Sequence, residues 1–219
     1  MIEPVAVPAA GAATPAARRL GRPKDVVSAE TQERLLQVAR VAFARHGYDA
    51  TTNRQIAEGA GITPGAIYHY YPSKAHLFLA VYEQVQAVVY GEFEKAAANH
   101  QTLIDRFSAV LDRAVELNQE DPSIGGFVVG VGIEAQRHPE IRQLAIERRS
   151  VNTGFVRRLA SDAAARGELA PDVSTKALED LLNAVVGGLT HFSYQTGDPV
   201  RHARAVDALK RFMAGTLMR

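Results

Sequence analysis

The chain has no cysteine and no tryptophan among its 219 residues. Without cysteine there is no disulfide scaffold, no cysteine-ligated zinc finger and no thiol nucleophile. The absence fits a reducing compartment, and a cytoplasmic location is expected. No apolar run approaches the ~18 residues that a membrane-spanning helix requires, so no membrane partner is expected. Strand-like alternation and internal repeats are also missing. So are a Gly-x-Ser-x-Gly elbow, a phosphate-binding Walker loop and a dinucleotide fingerprint. No catalytic set and no cofactor are therefore expected. The seven histidines are scattered. No two of them stand at the i, i+4 spacing beside a carboxylate that marks a helical metal site, so no metal is expected.

Charge of either sign is nearly balanced, with 25 Lys and Arg against 24 Asp and Glu. The balance is uneven along the chain. Residues 1–76 hold a small basic excess and residues 77–219 a small acidic one. That asymmetry suits a polyanion partner at one end without demanding it. The first residues, MIEPVAVPAAGAATPAA, lack the basic start of a signal peptide and carry Glu3 and three prolines. They read as a disordered tail. Arg18, Arg19, Arg22 and Lys24 follow around a Gly-Arg-Pro corner. This arm reads either as a hook into a narrow minor groove or as a solvated linker.

What is present is helical periodicity. Leu35, Val38, Ala39, Ala42 and Phe43 recur at helical spacing, Ser28 stands as a cap and Gly47 as a stop. Thr52 and Gln55 fit a capping box that opens a second helix. Gly61 can take the left-handed turn that ends it. Thr63 and Pro64 restart a third helix, and Pro72 stops it after Tyr71. Ser73 opens a longer amphipathic helix through Leu77, Phe78, Val81 and Val85. Further breaks fall near Asn99-His100, Asp121-Pro122, His138-Pro139, Gly167 to Pro171 and Gly197 to Pro199. The expectation is an all-α protein of about nine helices. Its parts are a tail and arm over 1–24, a three-helix DNA-binding domain with a helix-turn-helix over 25–73, and a longer helical body over 74–219.

The short third helix carries Tyr68, His69 and Tyr70 in succession. At ~100° per residue they span most of a turn, so they cannot all be buried. Phenol and imidazole groups can bond phosphates or base edges and touch thymine methyls. Tyr71 is expected to pack inward. Lys74 and Arg54 both sit at helix N-termini, where a phosphate is attracted.

Thr52, Ile56-Ala57, Ala60-Gly61-Ile62, Ala66-Ile67-Tyr68, Tyr70-Tyr71 and Ser73-Lys74 resemble the helix-turn-helix signature of TetR/AcrR-family transcriptional regulators. The motif region covers about residues 28–78. The resemblance implies a ligand-responsive, sequence-specific DNA-binding regulator, in most cases a repressor, and not an enzyme. It implies that Arg54, Pro64, Gly65, Tyr68 and His69 lie against bases or sugar–phosphate, with Thr52 also among the DNA-binding residues. Asn53, Thr63, Tyr70 and Lys74 would anchor phosphates, with Arg22 and Lys24 reaching from the arm. Two positions depart from the pattern: Asn53 stands where a hydroxyl residue is usual, and Ala75 where a glutamate is common. The implied partners are a palindromic double-stranded operator, a small apolar or amphipathic effector, and a second copy of the chain.

The body is less legible. Ile124 to Gly132 is rich in glycine, either to leave room for a ligand or to let helices pack closely. Phe107, Leu111, Phe127, Val131, Phe155 and Phe192 are candidates for an apolar pocket, with plain core as the alternative. Glu134, Asn152 and His191 are candidates to orient a ligand there, as is His138. On the last two helices, Leu178, Leu182, Val185, Gly188 and Leu189, then Ala205, Leu209 and Phe212, are candidates for a four-helix dimer interface.

Overall fold

A computed structural model describes residues 24–147 and 154–218, with side chains described from residue 29. Ten helices and no strand lie among the described residues. They are α1 (Lys24–Ala50), α2 (Asn53–Ala60), α3 (Pro64–Tyr70), α4 (Lys74–Ala97) and α5 (Leu103–Glu120), followed by α6 (Pro122–Arg137), α7 (Pro139–Glu147), α8 (Gly154–Ala165), α9 (Thr175–Thr196) and α10 (Pro199–Met213). The all-α expectation holds, with one helix more than expected. Arg22 and Asn152 lie outside the described residues, as does the side chain of Lys24. Helix α1 begins at Lys24, so Ser28 lies inside it instead of capping it. Gly47 breaks the helical geometry at φ 77°, and one further turn carries Tyr48 and Asp49 beyond the kink.

Two cores hold the helices. The first joins Leu35, Ala39 and Phe43 of α1 to Ile56 and Ala60 of α2, Ile67 of α3, and Leu77, Phe78 and Val81 of α4. It continues into Phe127 and Val131 of α6 and Ile141 of α7. The second joins Phe93 and Ala97 of α4 to Phe107, Val110 and Leu111 of α5, Phe155 and Leu159 of α8, Leu178 and Leu182 of α9, and Val206 of α10. Helix α4 therefore runs from one core into the other. Burying a large apolar side chain contributes about 1.5–3 kcal/mol, so this shared helix couples the N-terminal helices to the body mechanically.

Helix α6 forms despite its glycines. Asp121 caps it by accepting from the Ser123 N–H, and Pro122 sits at the first helical position. A Cβ on Gly125 would stand 2.9 Å from Asn118 Oδ1, and one on Gly126 would stand 3.3 Å from the Tyr194 ring. These two glycines let α6 approach α5 and α9 closely, which offsets their helix cost of roughly 1 kcal/mol each. Gly130 and Gly132 have no such neighbour within 4 Å.

Candidate nucleic-acid interface and body cavity

Helices α2 and α3 are set by local chemistry. Thr52 Oγ1 accepts from the Gln55 N–H at 3.2 Å, and Gln55 Oε1 accepts from the Thr52 N–H at 2.9 Å. Both halves of the capping box are thus present. Gly61 takes the left-handed conformation at φ 67°, ψ 33° and turns the chain into α3. Thr63 Oγ1 accepts from the Ala66 N–H at 3.2 Å, with Pro64 next in the helix. Arg34 donates from Nε to the Ala60 carbonyl at 2.8 Å and holds the end of α2 against α1. Ile67 is fully buried beneath α3.

The outer face follows from that anchoring. Tyr68 is 56% exposed. His69, Thr63, Pro64 and Gly65 are exposed beside it. Tyr70 is half-buried and packs against the first core. Tyr71 is buried, as expected, and its hydroxyl accepts from Gln32 Nε2 at 2.9 Å. Asn53 Nδ2 donates to the Tyr68 hydroxyl at 3.1 Å. This bond bridges α2 to α3 and fixes the direction of the exposed phenol. Arg54 is exposed and has no hydrogen bond or ion pair among the described residues.

Lys74 is already engaged within the chain. Its ammonium donates to the carbonyls of Tyr48 at 2.8 Å and Thr51 at 3.1 Å. It also lies 4.2 Å from the centroid of the Tyr48 ring. It clamps the end of α1 to the start of α4, and only one of its three donors is left for a phosphate. Arg40 makes a second link between head and body. It is buried, pairs with Asp121 and donates to Ser123 Oγ at 3.0 Å.

The body contains a cavity of about 150 Å³ between α4, α5, α6, α9 and α10. Tyr82, Gln86 and Tyr90 of α4, Leu111 and Asn118 of α5, Leu189 and Ser193 of α9, and His202 of α10 line it. Asn118 Nδ2 donates to Ser193 Oγ at 3.0 Å. His202 is buried, its Nδ1 has no hydrogen-bond partner, and burial lowers its pKa from the ordinary 6.5. A second cavity of about 160 Å³ is lined by Phe107, Phe155, Asn183 and Gly187. Tyr90, Phe93, Val128, Val186 and Thr190 line both.

Two family models match this chain. Residues 35–81 match bacterial regulatory proteins of the tetR family, and residues 103–218 match the C-terminal part of BetI-type transcriptional repressors. The chain belongs to the TetR family of transcriptional regulators. It is similar to the HTH-type transcriptional regulator UidR of Escherichia coli K12, at 26% identity over 190 residues, covering 85% of this chain and 93% of the relative. The HTH-type transcriptional repressor AcnR of Corynebacterium glutamicum is 26% identical over 161 residues, covering 72% and 79%. Among solved structures, FadR from Bacillus subtilis in complex with stearoyl-CoA shares the fold with a TM-score of 0.69 at 16% identity, over 81% of this chain and 96% of that one. The protein is a DNA-binding transcriptional regulator of the TetR type. Among its described residues no helix is long and apolar enough to cross a membrane.

For a TetR-family body, the sequence placed the cavity imperfectly. Leu111 lines the first cavity, and Phe107 and Phe155 line the second. Phe127 lines neither, because it packs in an aromatic cluster with its centroid 5.0 Å from Phe78 and 6.4 Å from Phe43. Val131 belongs to that same core. Glu134 points to α1, where Oε1 accepts from the Tyr48 N–H at 3.2 Å. His191 is exposed on the outer side of α9, and Phe192 sits under Arg201, 5.6 Å from ring to guanidinium. His202 was missed. Its spacing from Val206, Leu209 and Met213 along one face of α10 was the available signal.

The interface candidates divide between two faces of α9 and α10. Leu178 and Leu182 are buried in their own chain's second core. Val185, Leu189 and Leu209 pack against that core, and Leu189 lines the cavity. They share the inward stripe of α9 and α10. The outward stripe carries Leu181 at 58% exposure, Ala184, Gly188 and Phe212 at 59%. Ala205 is half-buried at its edge. The leucine-rich run of α9 shows apolar residues on both faces, so its sequence alone does not separate the two stripes.

Proposed function

We propose that the chain works as a homodimer whose two copies of α3 enter successive major grooves of a near-palindromic operator, and that a small apolar or amphipathic effector releases it. One observation carries the DNA half: a short helix, capped at both ends and pinned by Ile67, presents Tyr68 and His69 to solvent with the phenol oriented by Asn53. In this reading Arg54, Pro64, Gly65, Tyr68 and His69 lie on bases and sugar–phosphate. Thr52, Asn53, Thr63 and Tyr70 flank them, and Lys74 acts first as a clamp on the α1 end. The reading domain is residues 25–73, and the body, residues 74–219, holds the effector and the partner.

The two cavities support the effector half. Together they just reach the ~300 Å³ at the lower end of ligand pockets. Tyr90 and Phe93 wall both, so an effector that pushes these rings aside gains one continuous space. Both rings are on α4, the helix that Lys74 ties to the reading head. An effector acts only through its differential affinity for two states, and here the bias is a displacement of α4. His202, Gln86 and Asn118 supply the polar contacts that orient the ligand. The FadR structure, a complex with stearoyl-CoA, is in keeping with a long apolar effector.

Dimerisation rests on the outward stripe of α9 and α10, with Gly188 open to a close partner helix. One short helix reads few bases, whereas two linked copies gain through effective concentration. The protein acts in the cytoplasm as a binding protein without catalysis. The test is a gel shift on operator fragments with graded ligand. Release by an acyl or aromatic compound, lost in a Tyr90→Trp variant that fills the wall, is the expected result. Binding to fragments without sequence preference and without release by any ligand would point instead to a nucleoid-type binder.

A further inference from the structure

Where the end of α1 meets the end of α6, three potential metal ligands converge. His138 Nε2 lies 3.2 Å from Asp49 Oδ1 and 3.4 Å from Glu134 Oε2. One ligand atom from each of the three residues falls within 4.8 Å of the others. We propose that Asp49, Glu134 and His138 form a site for a divalent first-row transition ion of the zinc class, set across the joint between the reading head and the body.

Geometry supports an ion here. An ion bound at ~2.1 Å from imidazole nitrogen and carboxylate oxygen in a tetrahedral site holds those atoms roughly 3.3–3.4 Å apart. The two nitrogen–oxygen separations already match that edge. Glu134 is buried, with 9% of its surface exposed. Its Oε1 is taken by the Tyr48 N–H, while Oε2 is buried without a hydrogen bond. His138 Nε2 is likewise buried without one. The two atoms face each other and Asp49 at ion-pair distance without a hydrogen bond, and an ion between them would satisfy both at once. On the far side of the ring, Glu140 Oε1 stands 3.6 Å from His138 Nδ1. A carboxylate in that place favours the tautomer with Nδ1–H and an Nε2 lone pair turned to the ion.

The local charge points the same way. Among the described residues no Lys or Arg forms an ion pair with Asp49, Glu134 or Glu140. A nitrogen and oxygen donor set with a single imidazole suits zinc, cobalt or nickel better than calcium or magnesium, which favour all-oxygen sites. The ion would add a further tie between the helix-turn-helix and the body, beside Lys74, Arg40 and the Tyr48–Glu134 hydrogen bond.

The full chain, stripped with chelator and titrated with Zn²⁺ by calorimetry, decides this without any DNA. We expect one ion per chain, a rise in melting temperature, and visible four-coordinate absorption bands when Co²⁺ replaces Zn²⁺. Asp49→Asn changes a side chain that is 72% exposed, so it leaves the fold intact. It should weaken binding at least about tenfold, no less than the 10–100-fold cost of losing an outer-shell partner. His138→Asn should do the same and abolish the cobalt bands. No stoichiometric binding, or an affinity unchanged in both variants, would overturn the site.

Discussion

The reading head and the body are built from the same kind of element, yet they differ in where their information sits. In the head, the boundaries of α2 and α3 are set by residues three or four positions apart. Thr52 pairs with Gln55, Thr63 with Ala66, and Gly61 supplies the left-handed turn between α2 and α3 that a side chain would strain. In the body, the cavity is made by side chains from five helices, none of which signals the others in sequence. Local rules therefore suffice for the head, and only packing defines the pocket.

The sharpest way to break this contrast is to remove function from the head alone. Tyr68→Ala with His69→Ala removes two exposed side chains, so the fold and ligand-induced thermal shifts should persist. Operator affinity should fall at least about 100-fold in a gel shift, since each good base contact is worth roughly 1–3 kcal/mol. The matching cut in the body is Leu181→Glu with Phe212→Glu. Both are more than half exposed in the single chain. Sedimentation should show a folded monomer at concentrations where the wild type is a dimer, and operator binding should weaken with it.

Smaller changes sharpen the comparison. Lys74→Ala removes two backbone ties and should lower stability by about 1–2 kcal/mol in urea melts. If the clamp is its main role, the salt slope of DNA binding stays as in the wild type, whereas a direct phosphate contact would flatten it by about one. Thr63→Ala removes a cap and should cost about 1 kcal/mol, with a matching loss in α3 protection by hydrogen exchange.

The smallest effect concerns pH. Burial holds His202 neutral in the folded chain below its ordinary 6.5. As pH falls through about 6.5 the unfolded chain takes up a proton that the folded chain does not, so this residue's contribution favours unfolding. It is absent above that range. His202→Gln should therefore narrow the drop in melting temperature between about pH 7.5 and 5.5 relative to wild type.

These differences explain how far the sequence could be read. Helices α2, α3 and the start of α4 were legible because caps, a proline and a glycine turn act locally. The inward packing of Tyr71 was legible for the same reason. Phe127 was not, because nothing in its own segment says that Phe43 and Phe78 are waiting for it. The burial of Leu178 and Leu182 in their own chain was not legible because α9 is apolar on two sides, and only the neighbours α8 and α10 decide which is inner. Glu134 and His138 were read only as separate polar candidates, and Asp49, 85 positions before Glu134, reaches them only through the kink at Gly47.

The claim that residues 52–74 read DNA by sequence is tested most directly by selecting genomic fragments on the full-length protein and sequencing those retained. The account predicts one shared inverted repeat with half-site centres roughly 34–36 Å apart. It also predicts that the Tyr68→Ala, His69→Ala variant retains none of those fragments. Retention of the same repeat by that variant, or no shared sequence with the wild type, would contradict it.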